Sequence, residues 1–495
     1  MRQALIGAAM AAGLFAAGSA SRAQEPVPPP QDWGQALRED AQVFHDLIAD
    51  SHPGPVDAEN PGFNPLLEAG LATALTRART ADSYQDWYFA LQEYASSFDD
   101  GHLGLSRYAP MGHVWTARWP GFLTGMRSVD GRDQYAVAFN QDPAAPPVGA
   151  VLVSCDGRPA EALAQEVIGR AAGRWNLTTQ RVAYASTLFI DQTNPYVAMP
   201  RRCEFVVDGQ ARTWALAWRD LPDATRDEGF AAARTPRFTT PIGLRNWDRG
   251  VWIGLGGFNG DPASEDGLQL TPLKAEIAAR ADEIRTAPVV VFDLRGNNGG
   301  SSAWITAMAT TLWGEARVEE RRPRSVGVDW RTSDLNLETI EGYKVQLGGN
   351  PDVLAWLNEI STGMIAARAE GRSLWRQAGG DDRAEGAAPT ENPVKGRVYV
   401  LTDYGCGSAC LDAVDLLTAL GAVQVGQETT ADTVYMEIRR QPLSGGRVTA
   451  HVPMKVYRGR ARGNNVTAVP AHEWTGALSD TAGLETWIAG LAEAR

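Results

Sequence analysis

The most constraining feature of this chain is a serine placed where a buried strand turns into a helix. The apolar run 398–402 predicts the strand, and a glycine-rich turn ends it before Ser408. Apolar residues then recur at helical spacing over 409–420. Such a turn exposes the serine hydroxyl, points the N–H of Ala409 outward and favours negative charge at the helix N-terminus. A nucleophilic serine needs this setting, although a serine that only caps the helix would give the same pattern.

A second buried strand ends in another glycine-rich turn. The run 288–293 leads into Asp-Leu-Arg-Gly-Asn-Asn-Gly-Gly, which ends at Gly299 and Gly300, and an apolar helix is predicted over 303–312. Two adjacent glycines at a strand-to-helix turn allow backbone N–H groups to approach a ligand closely. A phosphate loop or an ordinary turn could contain the same glycines. The sequence is not a P-loop, however, because no Gly-Lys-Ser/Thr follows.

Taken together, the two turns carry a family resemblance. Asp-x-Arg-x-Asn-x-Gly-Gly, followed later by strand-Gly-x-Gly-Ser-Ala-helix, resembles the tail-specific (C-terminal-processing) serine peptidases and the related tricorn protease core. The resemblance implies that Ser408 is the nucleophile and that Gly299 or Gly300, with the N–H of Ala409, forms the oxyanion hole. It requires no cofactor. We also expect no metal, since the cysteines and histidines form no cluster with metal-ligand spacing.

The general base has to be assigned separately. The tail-specific branch uses a lysine shortly after a Val-Gly-Glu-x-Thr-x-Gly motif, but here Asp432 occupies that place and Lys455 lies too far along the chain. His102, in Asp-Asp-Gly-His, resembles the base of the histidine-using, tricorn-like branch. An imidazole can take the proton of the serine and return it to the leaving amine. By itself, a histidine after Asp-Gly is better interpreted as a solvated turn residue than as a general base. Because the lysine is missing, we favour the general base for His102.

The residue that would orient this histidine departs from the family pattern. The tricorn-like pattern has a glutamate before a late Gly-Val-x-Pro-type segment, and here that stretch contains Asn464 and Asn465. An asparagine can orient a histidine by a hydrogen bond, but it does not stabilise an imidazolium by charge. Glu437, which alternates with apolar strand positions, is the second candidate, and we favour it because it is a carboxylate.

These residues predict an exported serine peptidase that cleaves peptides or protein tails through an acyl-enzyme. The incomplete third position leaves room for a catalytically impaired peptide-binding protein of the same fold. A non-peptidase esterase would use the same serine chemistry and is a further alternative.

The N-terminus predicts export. Residues 1–23 combine one early arginine, a short apolar run and small residues at the end, as in a cleaved signal peptide that is too short to span a bilayer. We therefore expect a periplasmic or secreted protein without an integral membrane segment after cleavage. Cleavage removes two arginines and no acidic residue, so the net charge would change from −13 to −15. This acidic balance argues against a nucleic-acid partner and leaves a peptide or protein substrate.

Four cysteines in an exported chain favour disulfides. Cys155 and Cys203 lie in strand-like runs of one β-rich module, so we expect them to be bonded. Cys406 and Cys410 flank Ser408 at i, i+4 spacing. They could close a small loop around the serine or remain two buried thiols.

The chain divides into three regions behind the signal peptide and a Pro-rich leader over 24–31. Helical spacing predicts an N-terminal helical domain over 32–114. Strand-like runs separated by Asp-Gly turns predict a β-rich module over 115–240 that resembles part of a PDZ-like domain, a class that captures peptide ends by strand addition. Short Val-rich strands alternate with helices over 241–495, which predicts an α/β core with an insertion at about 318–396. The family resemblance implies that this core is crotonase/ClpP-like, built from ββα units.

Overall fold

The computed structural model describes residues 30–106, 117–129, 131–323, 325–347, 351–378 and 389–494. The predicted signal peptide and all but the last two residues of the Pro-rich leader lie outside these residues. The described chain forms two compact units. The C-terminal unit contains residues 237–437 and 455–494, and the N-terminal unit contains residues within 30–236 together with 438–454. The predicted boundaries between a helical domain and a β-rich module, both in the N-terminal unit, stay predictions.

A six-stranded sheet forms the centre of the C-terminal unit. The first two strands are antiparallel to each other, and every later neighbour is parallel. Val291 lies opposite Trp252 on one side and Tyr399 on the other. The strands, in their order across the sheet, are Gly243–Trp247, Gly250–Gly254, Val289–Asp293, Arg397–Thr402, Val423–Gly426 and His472–Glu473.

Helices cover both faces of this sheet, which explains why its central strand Val289–Asp293 is buried at every position. Successive side chains of a strand point to opposite faces. Val290 and Phe292 accordingly belong to one apolar cluster, whose other members include Leu270, Met308 and Leu417. Val289 and Val291 belong to a second cluster, with Leu484 and Ile488 of the last helix. Fully burying each of these side chains stabilises the fold by about 1.5–3 kcal/mol.

Two helices of the C-terminal unit, Glu265–Ala279 and Thr481–Glu493, start at side chains that accept backbone hydrogen bonds. Ser264 accepts the N–H of Gly267, and Asp480 accepts the N–H of Gly483. The helices of this unit are Glu265–Ala279, Ala281–Thr286, Ala303–Trp313, Glu315–Arg321, Asp334–Leu347, Pro351–Ala369, Ala409–Ala419 and Thr481–Glu493.

The predicted insertion contains a smaller sheet. Its strand Gly327–Arg331 pairs antiparallel with Leu374–Ala378 and with residues 455–458. The unit is thus a mixture of helix and sheet, and the crotonase/ClpP-like form of its core stays a prediction.

The N-terminal unit begins with three packed helices, Trp33–Ser51, Phe63–Arg77 and Tyr84–Ser96. Ser83 and Asp86 form a reciprocal capping box at the start of the third helix. The shorter helices of this unit are the 3₁₀ turns Gly54–Val56 and Ala185–Thr187, the π turn Gln165–Gly169, and Ala160–Ala164, Arg170–Ala172, Thr178–Tyr184 and Asp223–Ala233.

An antiparallel sheet follows in the same unit. Its main strands, in spatial order, are Phe122–Val129, Arg132–Asn140, Val151–Cys155, Arg202–Val207 and Gln210–Ala215, and Arg158–Pro159 pairs beside Val151–Cys155. The register places Cys155 directly opposite Cys203, with their Cα atoms 4.0 Å apart, and the two sulfurs form a disulfide. The likeness of this sheet to a PDZ domain stays a prediction.

Short strands complete the N-terminal unit. Gly104–Ser106 pairs antiparallel with residues 449–451, and Arg118–Trp119 pairs with Arg219–Asp220. Strands Tyr435–Pro442 and Thr449–Arg458 pair with each other, and each contributes residues to both units. Over the described residues, no helix has the length and apolarity needed to cross a bilayer.

Candidate active site

Ser408 occupies a strained turn between the strand Arg397–Thr402 and the helix Ala409–Ala419. Its backbone angles are φ 52° and ψ −123°, which lie in a region that residues other than glycine rarely adopt. Holding a residue there costs about 1–3 kcal/mol, and such residues are concentrated at active sites. A sharp, strained strand-to-helix turn is also how nucleophilic serines are exposed in hydrolases. Ser408 is half-buried, and its Oγ makes no hydrogen bond to the described residues of its own unit.

The two cysteines that flank this turn are bonded to each other. The sulfurs of Cys406 and Cys410 form a disulfide, and the Cα atoms are 5.3 Å apart. Both residues are fully buried in the apolar cluster on one face of the parallel sheet. Of the two alternatives left open by the sequence, the structure thus contains the small covalent loop.

Gly299 and Gly300 have different surroundings, although they are adjacent in sequence. A Cβ atom on Gly299 would lie 2.8 Å from Ser408 Cβ and 3.2 Å from the N atom of Ala409, so this glycine contacts the serine turn. A Cβ atom on Gly300 would lie 1.9 Å from the carbonyl oxygen of Phe258. The φ angles are +106° and +132°, which only glycine adopts readily.

The two glycines differ in whether their N–H groups are already hydrogen-bonded, which decides whether each could donate to an oxyanion. The N–H of Gly299 donates to Asn297 Oδ1 at 2.9 Å, and the Asn297 amide in turn donates to the carbonyl of Leu255 at 2.7 Å. The N–H groups of Gly300 and Ala409 have no acceptor among the described residues. Of the N–H groups that the resemblance names as oxyanion donors, that of Gly299 is therefore already bonded, and those of Gly300 and Ala409 are available among the described residues. Gly299 supplies the space in front of Ser408.

The aspartate and arginine of the first motif support the turn from inside the protein. The Asp293 carboxylate accepts two hydrogen bonds from the guanidinium of Arg295, at 2.9 and 2.5 Å, and both side chains are almost completely buried. Asp293 Oδ2 also accepts hydrogen bonds from Thr240 Oγ1 at 2.8 Å and Trp252 Nε1 at 3.0 Å. A buried ion pair with this many partners is satisfied. We infer that these two residues are structural.

Asp403 joins the two glycine-rich turns. One carboxylate oxygen accepts the N–H of Gly296 at 2.8 Å, and the other accepts the N–H of Gly405 at 2.8 Å. Burial raises the pKa of Asp403, against the opposing effect of the two N–H donors. The sequence interpretation overlooked this residue. Its signal is an aspartate two residues before a glycine at a strand end, which is typical of an Asx turn.

Asp432, which takes the place of the lysine of the tail-specific branch in the predicted resemblance, binds the backbone of Ser408. Its Oδ1 accepts the N–H of Ser408 at 3.2 Å, and its Oδ2 lies 3.5 Å from guanidinium nitrogens of both Arg460 and Arg462. A carboxylate paired with two arginines can anchor the turn through this backbone hydrogen bond.

The three candidates for the orienting residue all have partners within the C-terminal unit. Glu437 Oε2 accepts from Lys455 Nζ at 3.1 Å, and both side chains are 3% exposed. The side-chain oxygen of Asn464 accepts the N–H of Val434 at 3.0 Å. The backbone N–H of Asn465 donates to the carbonyl of Asp432 at 2.9 Å. The preferred candidate, Glu437, is therefore already paired with a buried cation.

The candidate base His102 lies in the N-terminal unit, in a turn held by Asp100. Asp100 Oδ1 accepts the N–H of His102 at 2.8 Å, and Oδ2 lies 3.6 Å from Nε2 of the buried His52. His52 Nδ1 accepts the N–H of Gly54 at 2.8 Å, and burial lowers the pKa of His52. Because His102 and Ser408 belong to different units, their pairing stays a prediction.

Comparison with known proteins adds evidence on the fold. Neither the protein-family models nor the curated proteins match this sequence. Among solved structures, a mutant of CPAF superimposes with a TM-score of 0.57 at 13% identity, covering 93% of this chain and 97% of that one. Mature CPAF gives a TM-score of 0.54 at 15% identity, covering 89% and 93%.

The chain has the fold of CPAF. The tricorn protease also aligns, over 93% of this chain and 37% of its own length, but with a TM-score of 0.37 at 12% identity. That likeness is too weak to assign the chain to the histidine-using branch, so this finer part of the resemblance stays a prediction.

Proposed function

We propose that this chain is an exported serine peptidase in which Ser408 attacks the peptide carbonyl and forms an acyl-enzyme. The observation that carries the proposal is the strained backbone of Ser408, which faces Gly299 at the N-terminus of a helix. Strain of this kind persists only where the surrounding structure enforces it, and a half-exposed serine hydroxyl gains no stability from it. The turn is therefore best explained by the reactivity of Ser408.

The backbone around Ser408 can stabilise the charge that develops in the reaction. When Ser408 Oγ bonds to the carbonyl carbon, the carbonyl oxygen becomes an oxyanion. The N–H groups of Gly300 and Ala409 would donate to that oxygen, and the helix N-terminus favours its charge. Loss of one such donor typically lowers kcat by about 10²–10³-fold.

Proton transfer is assigned to His102. Asp432 replaces the lysine of the tail-specific branch and is held by two arginines, and Lys455 is bound to Glu437. A neutral histidine can take the proton of Ser408 as it attacks and deliver it to the leaving amine.

The neighbouring structures support a peptidase and suggest a probe. Mature CPAF has also been solved in complex with lactacystin, with a TM-score of 0.53 to this chain. If the shared fold extends to a shared site, lactacystin should protect Ser408 from other serine-directed reagents.

Covalent labelling by a fluorophosphonate probe tests the nucleophile. We expect the wild type to be labelled at Ser408, Ser408→Ala to be unlabelled, and lactacystin to slow the labelling. Ser302→Ala is the matched control, since Ser302 is a neighbouring serine whose hydroxyl donates to Asp412 at 2.7 Å. Labelling that persists in Ser408→Ala, or is lost in Ser302→Ala, would contradict the assignment.

A peptide-binding protein without turnover is the second candidate, because Glu437 is paired with Lys455 and neither asparagine is an acid. Digestion of a peptide library separates the candidates. A peptidase releases new N-termini, an esterase hydrolyses only esters, and a binder retains peptides intact. Export is tested by determining the N-terminus of the mature protein, which we expect to follow residue 23.

A further inference from the structure

The nucleophile turn has an unusual covalent feature, because a disulfide spans it. Cys406 lies two residues before Ser408 and Cys410 two residues after it, so the bond closes a loop with the serine at its centre. The two cysteines are 0% exposed, whereas Ser408 is half-buried. The sulfurs therefore anchor the turn in the apolar core, and the hydroxyl lies toward the surface.

Hydrogen bonds hold both the ends and the centre of this loop. Cys406 donates its N–H to the carbonyl of Asp403 at 3.1 Å and accepts the N–H of Thr430 at 3.1 Å. Cys410 belongs to the first turn of the helix Ala409–Ala419. At Ser408 itself, the N–H donates to Asp432 at 3.2 Å, and the carbonyl accepts the N–H of Leu411 at 2.9 Å and that of Asp412 at 3.2 Å.

The sequence of the turn would otherwise allow several conformations. Glycines at 405 and 407 flank Cys406, and glycine has more backbone freedom than any other residue. Ser408 adopts a backbone conformation that it would leave if the turn could relax. A covalent bond between the residues two positions before and after the serine removes most of that freedom.

We propose that the Cys406–Cys410 disulfide is a positioning element that holds Ser408 and the N–H of Ala409 in their reacting arrangement. The inference rests on the proposed function of Ser408 as a nucleophile. It assigns the disulfide a local role. The bond closes a loop with a sequence separation of only 4, and short loops constrain the unfolded chain little.

The second disulfide provides a matched control. Cys155–Cys203 closes a loop with a sequence separation of 48 in the N-terminal unit. Its removal should therefore cost more stability than removal of Cys406–Cys410. If the proposal is correct, the variant without Cys155–Cys203 loses more stability but keeps its kcat. The variant without Cys406–Cys410 loses less stability but has a lower kcat.

The experiment compares Cys406→Ala/Cys410→Ala with Cys155→Ala/Cys203→Ala in the full chain. The measurements are kcat and KM on a peptide substrate, the rate of fluorophosphonate labelling, and Tm. For the first variant we expect kcat and the labelling rate to fall by about 5- to 150-fold, the range that corresponds to release of the strain at Ser408, with KM nearly unchanged. For the second we expect a larger fall in Tm and a kcat close to that of the wild type.

A further variant guards against loss of folding. Cys406→Val/Cys410→Ala refills part of the buried volume of the sulfurs without a covalent bond, and it should show the same loss of kcat. The inference is overturned if either of the two variants at Cys406 and Cys410 retains the wild-type kcat. It is also overturned if mass spectrometry of the active wild type finds free thiols at Cys406 and Cys410. A wild type that neither cleaves peptides nor reacts with the probe would instead refute the proposed function, and the inference with it.

Discussion

Replacing Gly299 by alanine tests the site most directly, because Gly299 directly contacts Ser408. The added Cβ atom would lie 2.7 Å from the carbonyl oxygen of Gly407 and 2.8 Å from Ser408 Cβ, distances that real Cβ contacts essentially never show. The serine turn therefore has to move. Alanine also has to adopt a φ of +106°, which costs about 1–3 kcal/mol.

These two effects predict separate changes in stability and activity. The backbone strain should lower Tm modestly. Displacement of a reacting group by about 1 Å costs roughly 10²-fold in rate, so we expect kcat to fall by about 10²-fold, equivalent to about 2.7 kcal/mol of transition-state stabilisation. Steady-state kinetics on a peptide substrate and calorimetry on the same preparation measure both quantities.

Gly421→Ala is the matched control. Gly421 also has a φ of +106°, but no atom lies within 4 Å of its Cβ position, and it follows the far end of the helix that begins at Ala409. This variant should share the loss of Tm and keep its kcat. Gly300→Ala is less informative, because its Cβ would overlap the backbone of Phe258 and disturb the fold. A Gly299→Ala protein with kcat within about twofold of wild type would refute the arrangement, since a displaced reacting group costs far more than that.

Three further predictions concern histidines and the buried ion pair. His102→Ala should lower kcat by about 10²–10⁴-fold at unchanged Tm, and a kcat near that of wild type would refute its role as base. His52 has a lowered pKa in the folded state, so the unfolded chain binds a proton that the folded chain does not, and stability should fall as the pH drops below 6.5, by up to about 1.4 kcal/mol per pH unit. Denaturant titrations of His52→Asn, whose amide oxygen can still accept a hydrogen bond, should show a flatter dependence. Glu437→Gln leaves the Lys455 cation without its carboxylate and should destabilise the protein by about 3–5 kcal/mol. If Glu437 only pairs with Lys455, the protein that remains folded should keep its kcat, whereas a loss of kcat would show that Glu437 orients the base.

The local structure around both glycine-rich turns could be determined from the sequence. Strands occur at Val289–Asp293 and Arg397–Thr402, and helices follow at Ala303–Trp313 and Ala409–Ala419, where apolar runs and helical spacing predicted them. These features are recoverable because hydrophobic periodicity and glycine turns are local properties of a sequence. Ser408 was for the same reason identified as lying at the turn.

The sequence was less informative about the cysteines. Cys155 and Cys203 lie in separate strand-like runs, and only the register of the antiparallel sheet places them opposite each other. Cys406 and Cys410 are four residues apart, a spacing that suits either a closed loop or two thiols on one face of a helix. The conformation of the turn at Ser408 decides between these alternatives.

Only the tertiary structure decided which groups of the two turns face the serine. The Asn297 side chain takes the N–H of Gly299, and Asp403 joins Gly296 to a turn that is 107 residues away in sequence. Asp432, which the sequence marks only as a missing lysine, binds the backbone of Ser408. Hydrogen bonds between loops have no periodic signal in the sequence, because they depend on how the ends of neighbouring parallel strands come together.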